Sequence, residues 1–113
     1  MKITNNQALL YLDRLRKVTG CKGKLGWAVY RNIKVLSGAL EEYNRMHDDL
    51  VRKYSENGRT VDKDKVAEFT AELEPLLGIE QELDIYTLPE ADMYDESLTA
   101  QDYMRLDFMI SEV

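Results

Sequence analysis

The sequence predicts a mainly α fold with a minor two-stranded β element, and three observations carry that prediction. An apolar repeat of 3.5 residues runs through the middle of the chain, from Val29 through Ile33, Leu36, Leu40, Tyr43, His47 and Leu50 to Tyr54. That spacing is one side of a long helix. Glycine-rich and Asn-Gly turns bracket the repeat, as interruptions between helices do. Period-2 alternation is confined to short stretches, Lys2-Ile3-Thr4 and the run containing Leu83, Ile85 and Thr87, which leaves room for little sheet. At 113 residues the chain reads as a single domain, 1–113, large enough to bury about two-thirds of its unfolded surface.

The elements follow in order. Residues 2–4 read as an edge strand. Thr4, Asn5 and Asn6 offer helix caps ahead of Ala8, Leu9, Leu12 and Leu15 at helical spacing, and Gly20 ends that helix. Three glycines between residues 20 and 26 make a turn. The long central helix then runs from Trp27 to Tyr54, with Trp27, Tyr30, Val35 and Val51 widening its apolar face. At ~1.5 Å per residue it would be about 42 Å long, against a diameter of ~35 Å for a compact chain of this size. It must bend, or else project and need a partner. Asn57-Gly58 is a turn. Asp62 or Asp64 caps a third helix through Val66, Phe69 and Leu73, which Pro75 and Gly78 bring to a close. Residues 82–88 form the second strand, paired with residues 2–4. Pro89 at a first helical position starts a short turn to about Tyr94, and Thr99 with Asp102 forms a capping box for the last helix. The long helix is thus packed by three or four shorter ones.

Charge is divided along the chain. Residues 1–65 hold 14 Lys and Arg against 8 Asp and Glu; residues 66–113 hold 1 against 13. A basic part at +6 therefore precedes an acidic part at −12, for a net charge of −6. A directional field of this kind suits a binding protein, while net acidity disfavours direct nucleic-acid binding, whose affinity comes from neutralising phosphates. The single cysteine, Cys21, fits a reducing compartment. With no long apolar run and no signal-like start, the expectation is a cytoplasmic protein with no membrane role.

The middle of the chain resembles small proteins encoded in phage and prophage genomes of Gram-positive bacteria. The residues that carry the resemblance are the helix start Lys24-Leu25-Gly26-Trp27-Ala28-Val29-Tyr30-Arg31-Asn32-Ile33-Lys34 and the helix end Leu50-Val51-Arg52-Lys53-Tyr54-Ser55-Glu56-Asn57-Gly58. Leu76-Leu77-Gly78 through Ile85, and Tyr103 through Glu112, match the acidic strand and closing helix of those proteins. The resemblance implies a phage accessory protein and brings no catalytic residue with it.

Three constellations remain. An acidic face of Glu82, Asp84, Glu90, Asp92, Asp95 and Glu96 could dock a basic host protein, although charge runs more often serve solubility. The glycine-rich turn with Lys22, Lys24 and Arg31 lies just ahead of a helix, where backbone amides favour an anion such as a nucleotide; it lacks the Gly-Lys-Ser/Thr of a phosphate-binding loop. The seam Ile33, Leu36, Leu40, Tyr43, His47, Leu50 and Tyr54 is either core or a self-association surface; in the second case Leu40→Glu should abolish a homo-oligomer without unfolding the chain. The one histidine, His47, has neither a second histidine nor a cysteine pair to complete a metal site, and no acid–base partner is suggested by spacing. Lys22 and Lys24 could lower the Cys21 pKa. No cofactor, metal or catalytic residue is expected. The sequence reading is a non-enzymatic phage or prophage accessory protein acting through protein–protein binding, with host defence or nucleic-acid-handling proteins as targets of the acidic face. An oligomeric virion-assembly factor and a nucleotide-binding protein are the alternatives.

Overall fold

The structure, a computed structural model, describes residues 1–18 and 20–111. It is mainly α. Strand β1 (Lys2–Thr4) leads directly into α1 (Asn5–Arg16). The join is a reciprocal cap: the Gln7 N–H donates to the Thr4 hydroxyl at 3.1 Å, and the Thr4 N–H donates to the Gln7 side-chain oxygen at 3.0 Å. Leu12 and Leu15 on α1 face the core with Ala28, Val29 and Leu36, together with Leu106 and Met109 near the C-terminus.

Helix α2 (Gly23–Ala39) begins four residues before Trp27, inside what the sequence suggested was a turn. Gly20 and Gly23 supply the left-handed backbone that the approach requires, at φ +86° and +65°. Gly26 then sits inside the first turn of α2, where a Cβ would lie 2.5 Å from the Cys21 carbonyl oxygen. That contact is with backbone, which cannot swing aside. Gly26→Ala should therefore lower stability by about 2 kcal/mol. Gly38→Ala, in open space on the same helix, should raise it by about 0.5–1 kcal/mol. Chemical denaturation of the two variants checks both signs.

The long helix bends. Leu40, at φ −93° and ψ −1°, separates α2 from α3 (Glu41–Lys53). Its N–H still reaches the Leu36 carbonyl at 3.1 Å, and the Asn44 N–H reaches the Leu40 carbonyl at 2.8 Å. A ψ near zero leaves the helical range and redirects the axis. The Gln81 side-chain amide braces the bend, donating to the Ala39 carbonyl at 3.0 Å and to Asn5 Oδ1 at 2.7 Å.

A 3₁₀ turn (Lys63–Lys65) precedes α4 (Val66–Leu77). Neither Asp62 nor Asp64 caps α4: Asp62 starts the 3₁₀ turn without a side-chain capping bond, and its carboxylate takes the Glu56 N–H at 3.4 Å. Pro75 stands within the last turn of α4. Helix α3 buries only Tyr43, and α4 buries no residue fully. This end of a molecule measuring 50 × 26 × 19 Å is thinly covered.

The sheet uses other residues than expected. Strand β2 (Glu80–Glu82) pairs antiparallel with β1, with Ile3 opposite Gln81. Residues 83–87 belong to no sheet: β1 begins at Lys2, which already stands opposite Glu82, and Asn32 of α2 takes the Tyr86 backbone instead. A second ladder joins β3 (Leu88–Pro89) to β4 (Ile110–Ser111) in parallel. Pro89 caps the 3₁₀ turn Glu90–Met93 rather than opening it. Helix α5 (Ala100–Leu106) has the expected box, with the Asp102 N–H donating to the Thr99 hydroxyl and the Thr99 N–H to the Asp102 carboxylate. Glu112, counted with the closing helix in the phage resemblance, lies outside the described residues.

Candidate functional site

The two charged halves meet within one molecule. Lys2 pairs with Glu80 at 3.5 Å, Arg14 with Asp107 at 3.8 Å and Lys53 with Glu72 at 2.9 Å. Glu82 receives the Met1 amino group at 3.1 Å. These neutralise the charge split at the strands, at the end of α5 and between α3 and α4. Among the described residues, Lys22, Lys24, Arg31 and Lys34 form no ion pair, and neither do Asp84, Glu90, Asp92, Asp95 and Glu96. The four cations belong to α2 and its approach. The five acids belong to the segment that runs back along α2, held at Asn32 by Tyr86 and at Lys22 by Asp95.

Between these charges lies an aromatic patch. Trp27, Tyr30 and Tyr86 are 52%, 59% and 41% exposed. Trp27 and Tyr30 therefore do not extend the apolar core face as the sequence suggested; they point outward, because Leu25, Ala28, Val29 and Leu36 already fill the inner face. Trp27 and Tyr86 meet edge to face, with ring centroids 4.9 Å apart, a favoured aromatic geometry. Lys34 lies over the Tyr30 ring at 5.9 Å.

Asn32 fixes this arrangement. It is fully buried, and its side-chain amide donates to the Tyr86 carbonyl at 2.9 Å while its oxygen accepts from the Tyr86 N–H at 2.7 Å. The pair imitates one rung of a β ladder and holds an irregular segment against a helix. Sequence reasoning missed Asn32 and Tyr86. The signal was present: a polar side chain four residues before the core residue Leu36 and three after Val29 must find a partner when buried.

The acidic residues divide by role. Asp95 is engaged locally: its carboxylate accepts from the Ser97 hydroxyl at 2.6 Å, the Ser97 N–H at 2.8 Å and the Lys22 N–H at 3.2 Å. The Tyr103 hydroxyl clasps the backbone N–H and C=O of the same residue at 3.1 and 3.0 Å. The carboxylate thus stands beside Lys22 at the start of α2, and adds a negative charge next to the turn that carries Lys22 and Lys24. Glu82 is engaged at β1. Asp84, Glu90, Asp92 and Glu96 remain as outward charge.

The Ser97 bonds, followed by that from Lys22, hold the Asp95 carboxyl below its ordinary value of 3.8. A depressed folded-state value means that the contribution is present above pH 3.8 and is lost as pH falls through the lower folded value. Asp95→Asn should accordingly melt below wild type at neutral pH, and the gap should close in acid. Thermal melts from neutral to acid pH give the reading.

The centre of the seam is core. Leu36, Leu40 and Tyr43 are buried and offer no surface to a second chain; Ile33, His47, Leu50 and Tyr54 are half-buried. His47 packs edge-on against Phe69 at 5.9 Å, and its Nδ1 lies 3.3 Å from Asp48. A groove of about 540 Å³ between α3 and α4 is lined by Met46, Leu50, Pro75 and Leu76, but the charges at its rim are already paired, Lys53 with Glu72 and Asp49 with Arg52. Cys21 is not an activated thiol: burial, then Asp95 and Asp102, push its pKa up, against the lowering that its lysine neighbours suggested. Among the described residues no three His, Cys, Asp or Glu side chains are grouped to hold a metal ion, and no helix is long and apolar enough to cross a membrane.

Against known proteins, the chain matches no family model, no curated protein and no solved structure. Its class is defined by the fold and the patch: a small mainly α protein with a preorganised aromatic surface between flanking charges of both signs.

Proposed function

We propose that the chain is a non-enzymatic binding protein, a phage or prophage accessory factor that works in the host cytoplasm by docking on a host defence or nucleic-acid-handling protein. The carrying observation is the patch of Trp27, Tyr30 and Tyr86, held open by the two Asn32 bonds. Half-exposed Trp and Tyr with Arg close by is the composition of binding hot spots, and a surface fixed before contact loses little entropy on binding. Asp84, Glu90, Asp92 and Glu96 supply an acidic rim suited to a basic partner. Relative to the sequence reading, the aromatic residues become the anchor and the acids the steering charge.

The test is affinity capture from host lysate with matched variants. Trp27→Ala/Tyr86→Ala should lose the partner while circular dichroism stays unchanged. Asp84→Lys/Asp92→Lys should weaken capture severalfold and reduce its salt dependence. Full capture by the aromatic double variant would contradict the reading.

A virion-assembly role is the second reading, favoured by the thin cover over α3 and α4. The nucleotide reading is the less favoured, because the Asp95 carboxylate beside Lys22 would repel a bound phosphate.

A further inference from the structure

Farther along α2, adjoining the patch at Tyr30, lies a shallow groove of about 490 Å³ lined by Tyr30, Ile33, Lys34, Ser37, Gly38 and Glu41. Lys34 and Glu41 stand on its two sides with opposite charge. Neither forms an ion pair among the described residues. Lys34 is on α2, and Glu41 opens α3 just past the bend at Leu40; at seven residues and about 10 Å of helical rise, they are beyond the reach of a direct pair in the same chain. The midpoint between them falls at Ser37 and Gly38, the smallest side chains of the groove. Gly38 is open to solvent, with nothing within 4 Å of where a Cβ would stand.

We propose that this groove is a self-association surface on which a second copy of the chain lies antiparallel, the end of α2 and the start of α3 against the same residues of its partner, about a two-fold axis passing between Ser37 and Gly38. In that register each Lys34 faces the partner's Glu41, which gives two symmetric ion pairs. A parallel arrangement would set Lys34 against Lys34 and Glu41 against Glu41, so charge selects the antiparallel one. A patch carrying one sign on each side of its midpoint is self-complementary, as a two-fold interface requires. Ser37 and Gly38 let the two backbones approach to the ~8 Å lower limit of helix packing, and Ile33 and the Tyr30 ring flank the crossing. The interface uses the outer face of α2 and, of the apolar seam, only its half-buried end at Ile33. It shares Tyr30 with the proposed partner patch but depends on other charges, so either idea can fail alone.

The experiment is sedimentation of the full chain over a range of concentration. Wild type should move from the mass of one chain to that of two. Lys34→Glu and Glu41→Lys should each weaken association about tenfold, since each places like charges opposite one another twice. An equimolar mixture of the two variants should recover association. In the mixed dimer the carboxylate introduced at position 34 faces the ammonium introduced at position 41, and the unchanged Lys34 of one chain faces the unchanged Glu41 of the other. Gly38→Met should block the close approach without lowering the melting temperature. A wild type that stays a single chain throughout overturns the proposal. So does a dimer indifferent to both charge variants, or a mixture that fails to recover. A dimer broken only by Leu50→Glu, in the groove between α3 and α4, overturns it as well.

Discussion

Leu40→Glu should unfold the chain. Leu40 is 1% exposed and stands at the bend between α2 and α3, within the main core. A carboxylate at that position loses its water and gains no cation, because the buried surroundings are apolar. The penalty should be at least about 4 kcal/mol, against the ~5–15 kcal/mol that stabilises a typical domain. The sequence read as a repeat gives the opposite expectation, a soluble monomer with its fold intact. Circular dichroism and a melting curve of the variant separate the two. A cooperative transition near wild type would mean that the α2–α3 junction is a surface after all.

Asn32→Ala has the second largest expected effect, and it links stability to binding. The substitution removes two hydrogen bonds and leaves the Tyr86 N–H and C=O without protein partners. A loss of about 3 kcal/mol follows from two lost bonds plus the desolvation of the abandoned groups. Segment 83–87, which belongs to no sheet, should then loosen from α2 and carry Tyr86 away from the Trp27 ring. Trp27 is the only tryptophan, so its emission reports the change directly: a red shift in the folded variant at low temperature. Unchanged emission with unchanged stability would remove Asn32 from its positioning role.

Much of the fold can be read from the residues. The reciprocal cap at Thr4 and the capping box at Thr99 and Asp102 rest on local chemistry that a sequence displays, and the pairing of residues 2–4 with an acidic strand follows from there being few stretches able to form one. The bend at Leu40 was legible only as an alternative to projection. It depends on Gln81 reaching both Ala39 and Asn5 from distant parts of the chain, and no local pattern encodes that. The strand at 82–88 fails for the same reason. Its alternation is real through Ile85, which is buried, but Thr87 is exposed and Leu88 buried, so the pleat is broken where Asn32 captures Tyr86.

The candidate site was legible in its charges and illegible in its centre. Seven cations from Arg14 to Lys34 and the acids from Glu80 onward stand out in one dimension, but which of them cancel is settled by packing. Asp95 stands among the acids in sequence, while its carboxylate also accepts from the Lys22 and Ser97 N–H groups. Trp27 and Tyr30 fit a widened apolar face as well as they fit a surface; only the competition for the inside of α2, won by smaller and more branched side chains, turns them outward.

The central claim is that the Trp27–Tyr86 patch is where a partner binds, and photocrosslinking tests it most directly. Tyr86→benzoylphenylalanine, irradiated in host lysate, should give one discrete higher-mass adduct. Met46→benzoylphenylalanine serves as the control, since Met46 is 45% exposed but lies in the groove between α3 and α4, outside the patch and its acidic rim, and it should give none. An adduct from position 46 with none from position 86 would contradict the account and move the binding surface to the groove between α3 and α4.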